Sequence, residues 1–594
     1  MRHVIALAAL FSASLFAQEF RSTLAGLVTD PQGAAVAGAK VRLRETATNT
    51  GYEATSAVDG AFTLPFVPPG DYELSAEASG FKKYVQAGIR IGTNQRLSQN
   101  ITLSLGAITE SITVSADVSQ LNTASASVGQ VISTAQLDSM PMNGRTPLSL
   151  AQLAFGVVPA SDPRFTRPFD NAGPSGFSMG GGQGQSNEIL LDGAPDMTRN
   201  RRVAYNPPAD SVAEVKVEVF QSDAAYGNTG GGTVNVVMKG GANDFHGSAY
   251  LFNQVSALKA NQFFSNAASR ERAVTRFNQY GLTASGPVFI PKLFNGKNKV
   301  FWYFAYEGIK QSEPEPTFST VPTDAQRGGN LSQLLSVNSI YQVYDPLTGA
   351  REGARVRRQP FPNNVIPANR INPVARNILG LIPGPNTTGG ADGINNYFNK
   401  AVRSDNFFSY LGRLDVNASD KHKFFFSYRI NDRLEDRGRR FGTSVTGNLL
   451  SRVNNGATFD DVYTLSPSML LNTRLNWTRF TEGSTRPHDG FDFTSLGFPQ
   501  YMAAASARNV IPFIDFSNFS DIGESGGDRT PFDSFQIFTT LTKITGKHSI
   551  KTGIDIRQQR ESSNAFGNSD SWQPMIQHLL NIFSCSSRKI WLSV

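Results

Sequence analysis

The sequence predicts an all-β protein in which a small sandwich precedes transmembrane strands. Only 17% of the 594 residues are charged, whereas 54 are glycine and 42 are phenylalanine, which is typical of chains with many strands and turns. Many segments alternate apolar and polar residues with period two. No apolar run reaches the roughly 20 residues that a transmembrane helix needs, so any membrane crossing must use a β-barrel.

The charge and cysteine content exclude several function classes. The net charge is +7, but the 55 Lys and Arg residues are scattered, whereas a nucleic-acid-binding protein gathers them on one element. The single cysteine, Cys585, allows neither a disulfide within the chain nor a CxxC metal site. None of the six histidines begins an HxxE or HExxH pair. We therefore expect no metal site, no cofactor and no nucleic-acid partner.

Residues 1–17 have the pattern of a cleaved signal peptide. Arg2 and His3 supply the positive start, and the short apolar run from Val4 to Phe16 leads to Ala17. The run is too short to span a bilayer as a helix. We expect export of the protein and absence of residues 1–17 from its mature form.

Residues 20–105 alternate at period two between turn signals such as Asp59-Gly60 and Pro69-Gly70. The pattern predicts about seven short strands, which is the size of a β-sandwich. The G-x-V-x-D-x-x-G pattern at 26–33, together with Asp59-Gly60-x-Phe62 and Gly70-x-Tyr72, resembles the carboxypeptidase-regulatory-like domain, a carbohydrate-binding-like fold. The resemblance leaves open whether this domain binds sugar or serves as a spacer.

Residues 106–243 contain short β-prone segments between glycine-rich turns. The segment 187–195 predicts a strand that enters a turn at Asp192-Gly193, and we expect the glycine loop 180–184 close to that turn. The segment resembles the plug of TonB-dependent receptors, in particular the Oar-like group that carries the sandwich in front. The resemblance identifies as plug-motif residues Gly182, Asn187, Ile189, Leu190, Leu191, Asp192 and Gly193.

A β-prone segment at 108–115 lies between the sandwich and the plug. In the family that the plug resembles, this position carries the energy-coupling TonB box. The resemblance therefore implies a role in energy coupling for Ile108, Thr109, Glu110, Ser111, Ile112, Thr113 and Val114. It also implies three partners, namely the TonB energy-transducing complex, outer-membrane lipid and a large ligand such as a carbohydrate.

One short segment matches a catalytic motif. Residues 176–180 fit G-x-S-x-G, the nucleophile elbow, which needs a strand before the serine and a helix after it. Glycines follow Ser178 instead, and glycine starts a helix poorly. We therefore expect no catalytic residues.

Residues 244–571 predict about nine membrane strands, each of which alternates apolar and polar residues. Four are clear: 409–417, 424–431, 471–478 and 550–557. Short turns such as 466–468 and 545–548 alternate with long polar stretches, which we place at about 310–405, 431–455 and 481–534. Short turns at one end and long loops at the other are typical of outer-membrane barrels. We therefore expect a partial transmembrane antiparallel β-barrel.

The last residues, 572–594, lose the period-two alternation. Ile576, Leu579, Leu580 and Phe583 have helical spacing instead. The family resemblance implies a barrel of about 22 strands. We interpret 572–594 as an aberrant tail and the chain as a C-terminally truncated copy.

The leading hypothesis is an outer-membrane TonB-dependent receptor or transporter that takes up an oligosaccharide, a peptide or a metal chelate. The alternative is a surface-binding, adhesion or secretion-linked outer-membrane protein with a carbohydrate-binding-like domain. A requirement for TonB in uptake would separate the two.

Overall fold

The computed structural model describes residues 20–106, 111–115, 129–140, 142–160, 167, 169–219, 227–261, 263–267, 269, 271–272, 274–466, 468–506, 508–524, 527–545 and 548–565. The predicted signal peptide 1–17, the coupling residues 108–110 and the tail 572–594 lie outside the described residues. The fold is mostly β and comprises a sandwich, a small mixed sheet and a long antiparallel sheet.

The sandwich packs two sheets around one apolar core. One sheet has the order β4-β1-β7, with β8 also paired to β1, and the other has the order β3-β2-β5-β6-β9. The core includes Leu24, Leu43, Leu64 and Leu74, which alternate with exposed residues along their strands. The strands are β1 Ser22–Thr29, β2 Lys40–Glu45, β3 Gly51–Thr55, β4 Ala61–Val67, β5 Gly70–Glu77, β6 Lys83–Ile91, β7 Arg96–Ser98, β8 Ile101–Thr102 and β9 Ser111–Ser115.

The small sheet, which we call the plug sheet, has the order β10-β15-β16-β13-β14. Short helices at Thr134–Ser139 and Ala172–Ser175 and 3₁₀ turns at Asn143–Arg145, Pro147–Leu153 and Ala209–Ser211 accompany it. Its core is continuous with Tyr303, Ala305 and Leu411 of the long sheet, so its central strands are buried on both faces. The strands are β10 Gly129–Ser133, β11 Val157–Pro159, β12 Phe177–Met179, β13 Glu188–Leu191, β14 Ala194–Pro195, β15 Val212–Glu218 and β16 Thr233–Met238.

Nine long strands form the antiparallel sheet in the order β17-β18-β21-β26-β27-β28-β29-β30-β31, with the short β32 beside β30. Its strands are β17 His246–Val255, β18 Arg276–Pro287, β21 Val300–Pro314, β26 Val402–Ser419, β27 His422–Arg437, β28 Asn448–Ser466, β29 Met469–Thr485, β30 Asp528–Thr545, β31 His548–Glu561 and β32 Asn564–Ala565. Among the described residues, β17 and β31 each pair with one long strand, so the sheet is open.

Smaller elements occupy the connections of the long sheet. Two short hairpins pair β19 Phe289–Ile290 with β20 Phe294–Asn295 and β23 Ala350–Glu352 with β24 Arg355–Arg357, and a third two-stranded sheet pairs β22 Thr317–Ser319 with the distant β25 Tyr397–Asn399. The α-helices are Phe263–Ala267, Asp324–Arg327, Ser332–Val337, Pro373–Leu379 and Gln500–Ala505. The 3₁₀ turns are Ser256–Leu258, Ser339–Tyr341, Pro346–Thr348, Pro362–Asn364, Ala368–Arg370 and Phe493–Leu496.

The predicted faces of the long strands are confirmed. On β26 Tyr410 and Leu414 are exposed, whereas Ser409 and Leu411 are buried. The same alternation holds on β29, where Leu475 is exposed and Asn476 is buried. Apolar side chains therefore form the outer face, whereas the inner face carries most of the polar side chains together with some apolar ones, such as Leu411, that pack against the plug.

Two of the predicted loop boundaries are wrong. The strand β27 continues to Arg437 and β28 already begins at Asn448, so the predicted stretch 431–455 shrinks to a connection of 438–447. The stretch 481–534 shrinks to 486–527. These strand extensions were not predicted because they lack an apolar face. Their inward charges are paired instead, as shown by Arg433 and Asp405, whose atoms lie 2.7 Å apart.

The two ends of the long sheet differ. The turns 419–422, 466–469 and 545–548 lie together at what we call the short-turn end. The connections 315–401, 438–447 and 486–527 lie at the opposite, long-loop end and share an apolar core that includes Val321, Phe441 and Phe493.

Among the described residues, no helix is both long and apolar enough to cross a membrane. No group of three or more His, Cys, Asp or Glu side chains in the same residues could hold a metal ion.

Candidate functional site between the plug and the long sheet

The strand β13 enters a tight turn at Asp192-Gly193, which we call the plug turn. Both residues have positive φ, 49° for Asp192 and 74° for Gly193. Asp192 accepts a hydrogen bond from the Met238 amide at 3.0 Å, and the Gly193 amide donates to Asn235 Oδ1 at 3.0 Å. A Cβ atom on Gly193 would lie 2.6 Å from Nη1 of Arg474. Glycine is therefore required here by both the backbone angle and the space.

The plug turn is bound to the inner wall of the long sheet. Asp192 Oδ2 lies 2.9 Å from Nη1 of Arg413 on β26, and Arg413 also pairs with Asp415 at 2.8 Å. Burial raises the pKa of Asp192 above its usual range, while the Arg413 guanidinium opposes this shift. Because Arg413 belongs to the long sheet, the pair stabilises the turn only while the plug is in contact with the wall.

The start of β13 is bound to the wall as well. Glu188 Oε1 lies 2.5 Å from Nη1 of Arg557 on β31, and Arg557 also pairs with Asp555 at 2.8 Å. Glu188 is completely buried. Both ends of β13 are thus held by buried ion pairs to two different strands, and breaking either pair leaves a buried charge without its partner.

A third acidic group lies just after β14. The carboxylate of Asp196 accepts a hydrogen bond from the Tyr205 amide at 3.0 Å. Burial raises the pKa of Asp196 to about 7, although the nearby Arg429 guanidinium acts in the opposite direction. The preceding carbonyl, of Pro195, accepts from Asn476 on β29 at 3.3 Å. This part of the plug therefore contains a carboxyl group that titrates near neutral pH.

A polar cleft of about 610 Å³, which we call the apex cleft, lies at the opposite end of β13 from the plug turn. Arg201 closes its base, where Nη2 donates to the Asn228 carbonyl at 2.6 Å. Arg199 Nη1 lies 2.5 Å from Oε1 of Glu561, the last residue of β31, so the cleft lies at the long-loop end. Three loops line it: 183–186, 199–201 and 227–230.

The predicted position of the glycine loop 180–184 is wrong. A Cβ on Gly182 would lie 2.8 Å from the Gly230 carbonyl, and Asn187 Nδ2 donates to the Phe177 carbonyl at 2.6 Å. The loop therefore packs beside the start of β13, whereas the plug turn follows its end, about 13 Å away along an extended strand of four residues.

The remaining motif residues, Ile189, Leu190 and Leu191, are all buried on β13, which pairs in parallel with β16. The sequence reasoning placed this strand but missed its ion partners. Arg413 and Arg557 lie in the predicted strands 409–417 and 550–557, but their partners Asp192 and Glu188 are 221 and 369 positions away in the chain, so local periodicity does not indicate these pairs. An isolated arginine on the inward face of a strand was the available signal.

The described part of the predicted coupling segment is the strand β9. It pairs in parallel with β6 of the sandwich, with Ser111 opposite Lys83 and Ser115 opposite Ala87. The segment is therefore an edge strand of the sandwich sheet. No local pattern in the sequence indicates this pairing.

Ser178 does not occupy a nucleophile elbow. It lies on β12 opposite Val158 of β11, and turn residues rather than a helix follow it. The strand–turn–helix arrangement that the motif requires is not formed at this serine.

The antiparallel sheet with an apolar outer face, a plug against its inner face and long loops at one end defines an outer-membrane β-barrel protein. The chain belongs to the family described as outer membrane beta barrel domain, which matches residues 237–573. The carboxypeptidase regulatory-like domain matches residues 23–104. The predicted localisation in the outer membrane is confirmed, and the long-loop end is the extracellular end.

The resemblance to the Oar-like group is also confirmed. The chain is similar to the TonB-dependent transporter Oar of Myxococcus xanthus, with 27% identity over 319 residues, which cover 51% of this chain and 28% of that protein. Two similar solved structures are the outer membrane transporter YddB from Escherichia coli, with TM-score 0.40, 10% identity and coverage of 74% of this chain and 54% of that chain, and the Ferric-Catecholate import receptor Fiu from E. coli K12, with TM-score 0.33, 12% identity and coverage of 74% and 66%.

Proposed function

We propose that the protein is a TonB-dependent receptor that takes up a large ligand across the outer membrane. The observation that carries this proposal is the attachment of β13 to the inner wall at both ends, through Glu188 with Arg557 and Asp192 with Arg413. A plug fixed in this way fills the space inside the sheet. Passage of a large ligand then requires energy to move the plug, and this is what the TonB complex supplies in the family.

The apex cleft is the proposed first contact for the ligand. It faces the extracellular end and is rich in amide side chains, namely those of Gln183, Gln185, Asn200 and Asn228. Amides donate and accept hydrogen bonds without a fixed charge, which suits ligands rich in hydroxyl or amide groups. The two arginines of the cleft already have partners, since Arg199 pairs with Glu561 and Arg201 donates to the Asn228 carbonyl. We therefore favour an oligosaccharide or a peptide over a metal chelate.

The second candidate is a surface-binding, adhesion or secretion-linked protein. The packed cap at the long-loop end favours it, because three connections share one apolar core and thus present a fixed surface to the outside. In this case the cap would bind an external partner, and no ligand would pass through the barrel.

A growth experiment separates the two. Cells that depend on a defined oligosaccharide or peptide mixture are compared with and without this gene and with and without TonB. The receptor hypothesis predicts that growth needs both, and that Val114→Pro abolishes it because proline removes a backbone donor from the coupling segment. Val114→Ile is the matched control and should grow normally. Growth that needs the gene but not TonB would support the second candidate instead.

A further inference from the structure

The sandwich is docked on the short-turn end of the long sheet. Arg21 Nη2 lies 2.8 Å from Oδ1 of Asp460, and both side chains are almost completely buried. Asn417 donates to Thr50 Oγ1 at 2.8 Å. Apolar contact adds to these bonds, because Phe66 packs with Val462 and Leu470 in one buried cluster. The sandwich therefore covers the periplasmic side of the sheet rather than hanging free from it.

The sandwich also binds the plug directly, through the turn 92–95 between β6 and β7, which we call the latch turn. Glu214 Oε2 on β15 accepts from both the backbone amide and the hydroxyl of Thr93, at 2.7 and 2.8 Å. Lys216 Nζ donates to the Asn94 carbonyl at 2.7 Å. Thr93, Glu214 and Lys216 are all buried. A carboxylate and an ammonium group of one plug strand thus bond to the sandwich, and the ammonium also pairs with Glu218 of the same strand at 2.9 Å. Charge-assisted bonds of this kind are strong.

This contact restrains the interior of the plug sheet. The strand β15 lies between β10 and β16, and β16 in turn pairs with β13, which carries the plug turn. A cavity of about 660 Å³ lies between the sandwich, the plug and the wall, and Ala213 at the start of β15 contributes to its lining. Lifting the sandwich would therefore expose the Glu214 and Lys216 side chains and remove this restraint on β15.

We infer that the sandwich is a latch that holds the plug closed from the periplasmic side. The plug can leave the wall only after the latch turn has separated from β15. Because the coupling segment β9 is an edge strand of the same sandwich, a pull on it acts first on the sandwich. This last step rests on the proposed function, whereas the latch itself does not.

Hydrogen exchange of the full-length protein tests the latch without TonB or any ligand. The Asn243 amide donates to the Ala47 carbonyl at 3.0 Å, so Ala47→Cys with Asn243→Cys, in a Cys585→Ser background, can join the sandwich by a disulfide to the connection between β16 and β17, the first long strand of the wall. The control pair is Ala57→Cys with Ala61→Cys, which closes the turn between β3 and β4 inside the sandwich, where the Ala57 amide donates to the Ala61 carbonyl at 2.8 Å.

Oxidation of the first pair should slow exchange of the β15 amides by roughly tenfold or more relative to the reduced protein, and oxidation of the control pair should not. Conversely, Thr93→Val with Lys216→Met should speed β15 exchange several-fold, whereas Arg42→Met, which breaks an exposed pair with Glu53, should not. Equal β15 rates in the two redox states, with the disulfide verified by mass, would overturn the latch. An unchanged rate in Thr93→Val/Lys216→Met would overturn it as well.

Discussion

The plug turn places two demands on residue 193, and only glycine meets both. Its φ of 74° lies in the left-handed region, and the guanidinium of Arg474 occupies the space of any side chain. Arg474 cannot give way easily, since it is itself buried and paired with Asp460 at 2.8 Å. A side chain at position 193 would therefore displace Arg474 and disturb its ion pair with Asp460 in the wall.

Gly193→Val should destabilise the plug by about 2–4 kcal/mol, because it adds backbone strain and a clash in a packed site. The free energy of plug unfolding, measured by native-state proteolysis, checks this value. Gly184→Ala is the matched control, since no atom lies within 4 Å of its added Cβ and its stability should be unchanged. Equal stability of Gly193→Val and the wild type would show that the turn is assigned wrongly.

Asp196 should make plug stability depend on pH. Its pKa in the folded protein is raised to about 7, so the folded state binds a proton that the unfolded state has already released. The contribution of Asp196 to plug stability is therefore fully present below about pH 4 and is lost as pH rises to about 7. Asp196→Asn should remove this fall, as measured by plug unfolding across the pH range. A slope that survives in Asp196→Asn would assign the effect to another group.

At the scale of elements, the extracellular loops form a structure of their own. The loop 486–527 folds against 315–401 through the shared apolar core, and buried polar groups fix its path. His488 is one of these groups, because its Nδ1 accepts a hydrogen bond from the Ile511 amide at 3.0 Å. Burial and the nearby Arg486 lower the pKa of His488 to about 4.

Acidification should loosen this loop. The neutral ring of His488 is needed to accept the bond, so the contribution of His488 to stability is present above the usual histidine pKa of about 6.5 and is lost as pH falls to about 4. The protection factor of the Ile511 amide, corrected for intrinsic exchange, should fall over this range. A matched measurement on the Ile514 amide, which donates to the Ile522 carbonyl, should change less. Constant protection of Ile511 would contradict this account.

For the whole molecule, the features that could be predicted from the sequence are those that depend on local periodicity. The number of long strands and the faces of Tyr410, Leu414 and Leu475 followed from alternation, because a membrane strand must separate an apolar face from a polar one. The ends of β27 and β28 did not follow, since these extensions lack an apolar face.

The contacts that join the sandwich, the plug and the long sheet could not be predicted from the sequence. The pairs of Asp192 with Arg413 and Arg21 with Asp460 join residues separated by 221 and 439 positions in the chain. No local pattern specifies such partners, and the latch turn shows no motif at all. The sequence thus located the plug strand within the candidate site but not the charges that hold it.

The long sheet should cross the outer membrane with the plug against its inner face. Spin labels on single cysteines along β29, in a Cys585→Ser background and in outer-membrane vesicles, test it most directly. Labels at Thr473, Leu475 and Trp477 should collide mainly with lipid-soluble oxygen, and labels at Asn472, Asn476 and Thr478 should be shielded by the plug from both oxygen and a water-soluble nickel chelate. Loss of this alternation, or preferential access of the chelate to the outward positions, would show that the long sheet does not cross the membrane in this way.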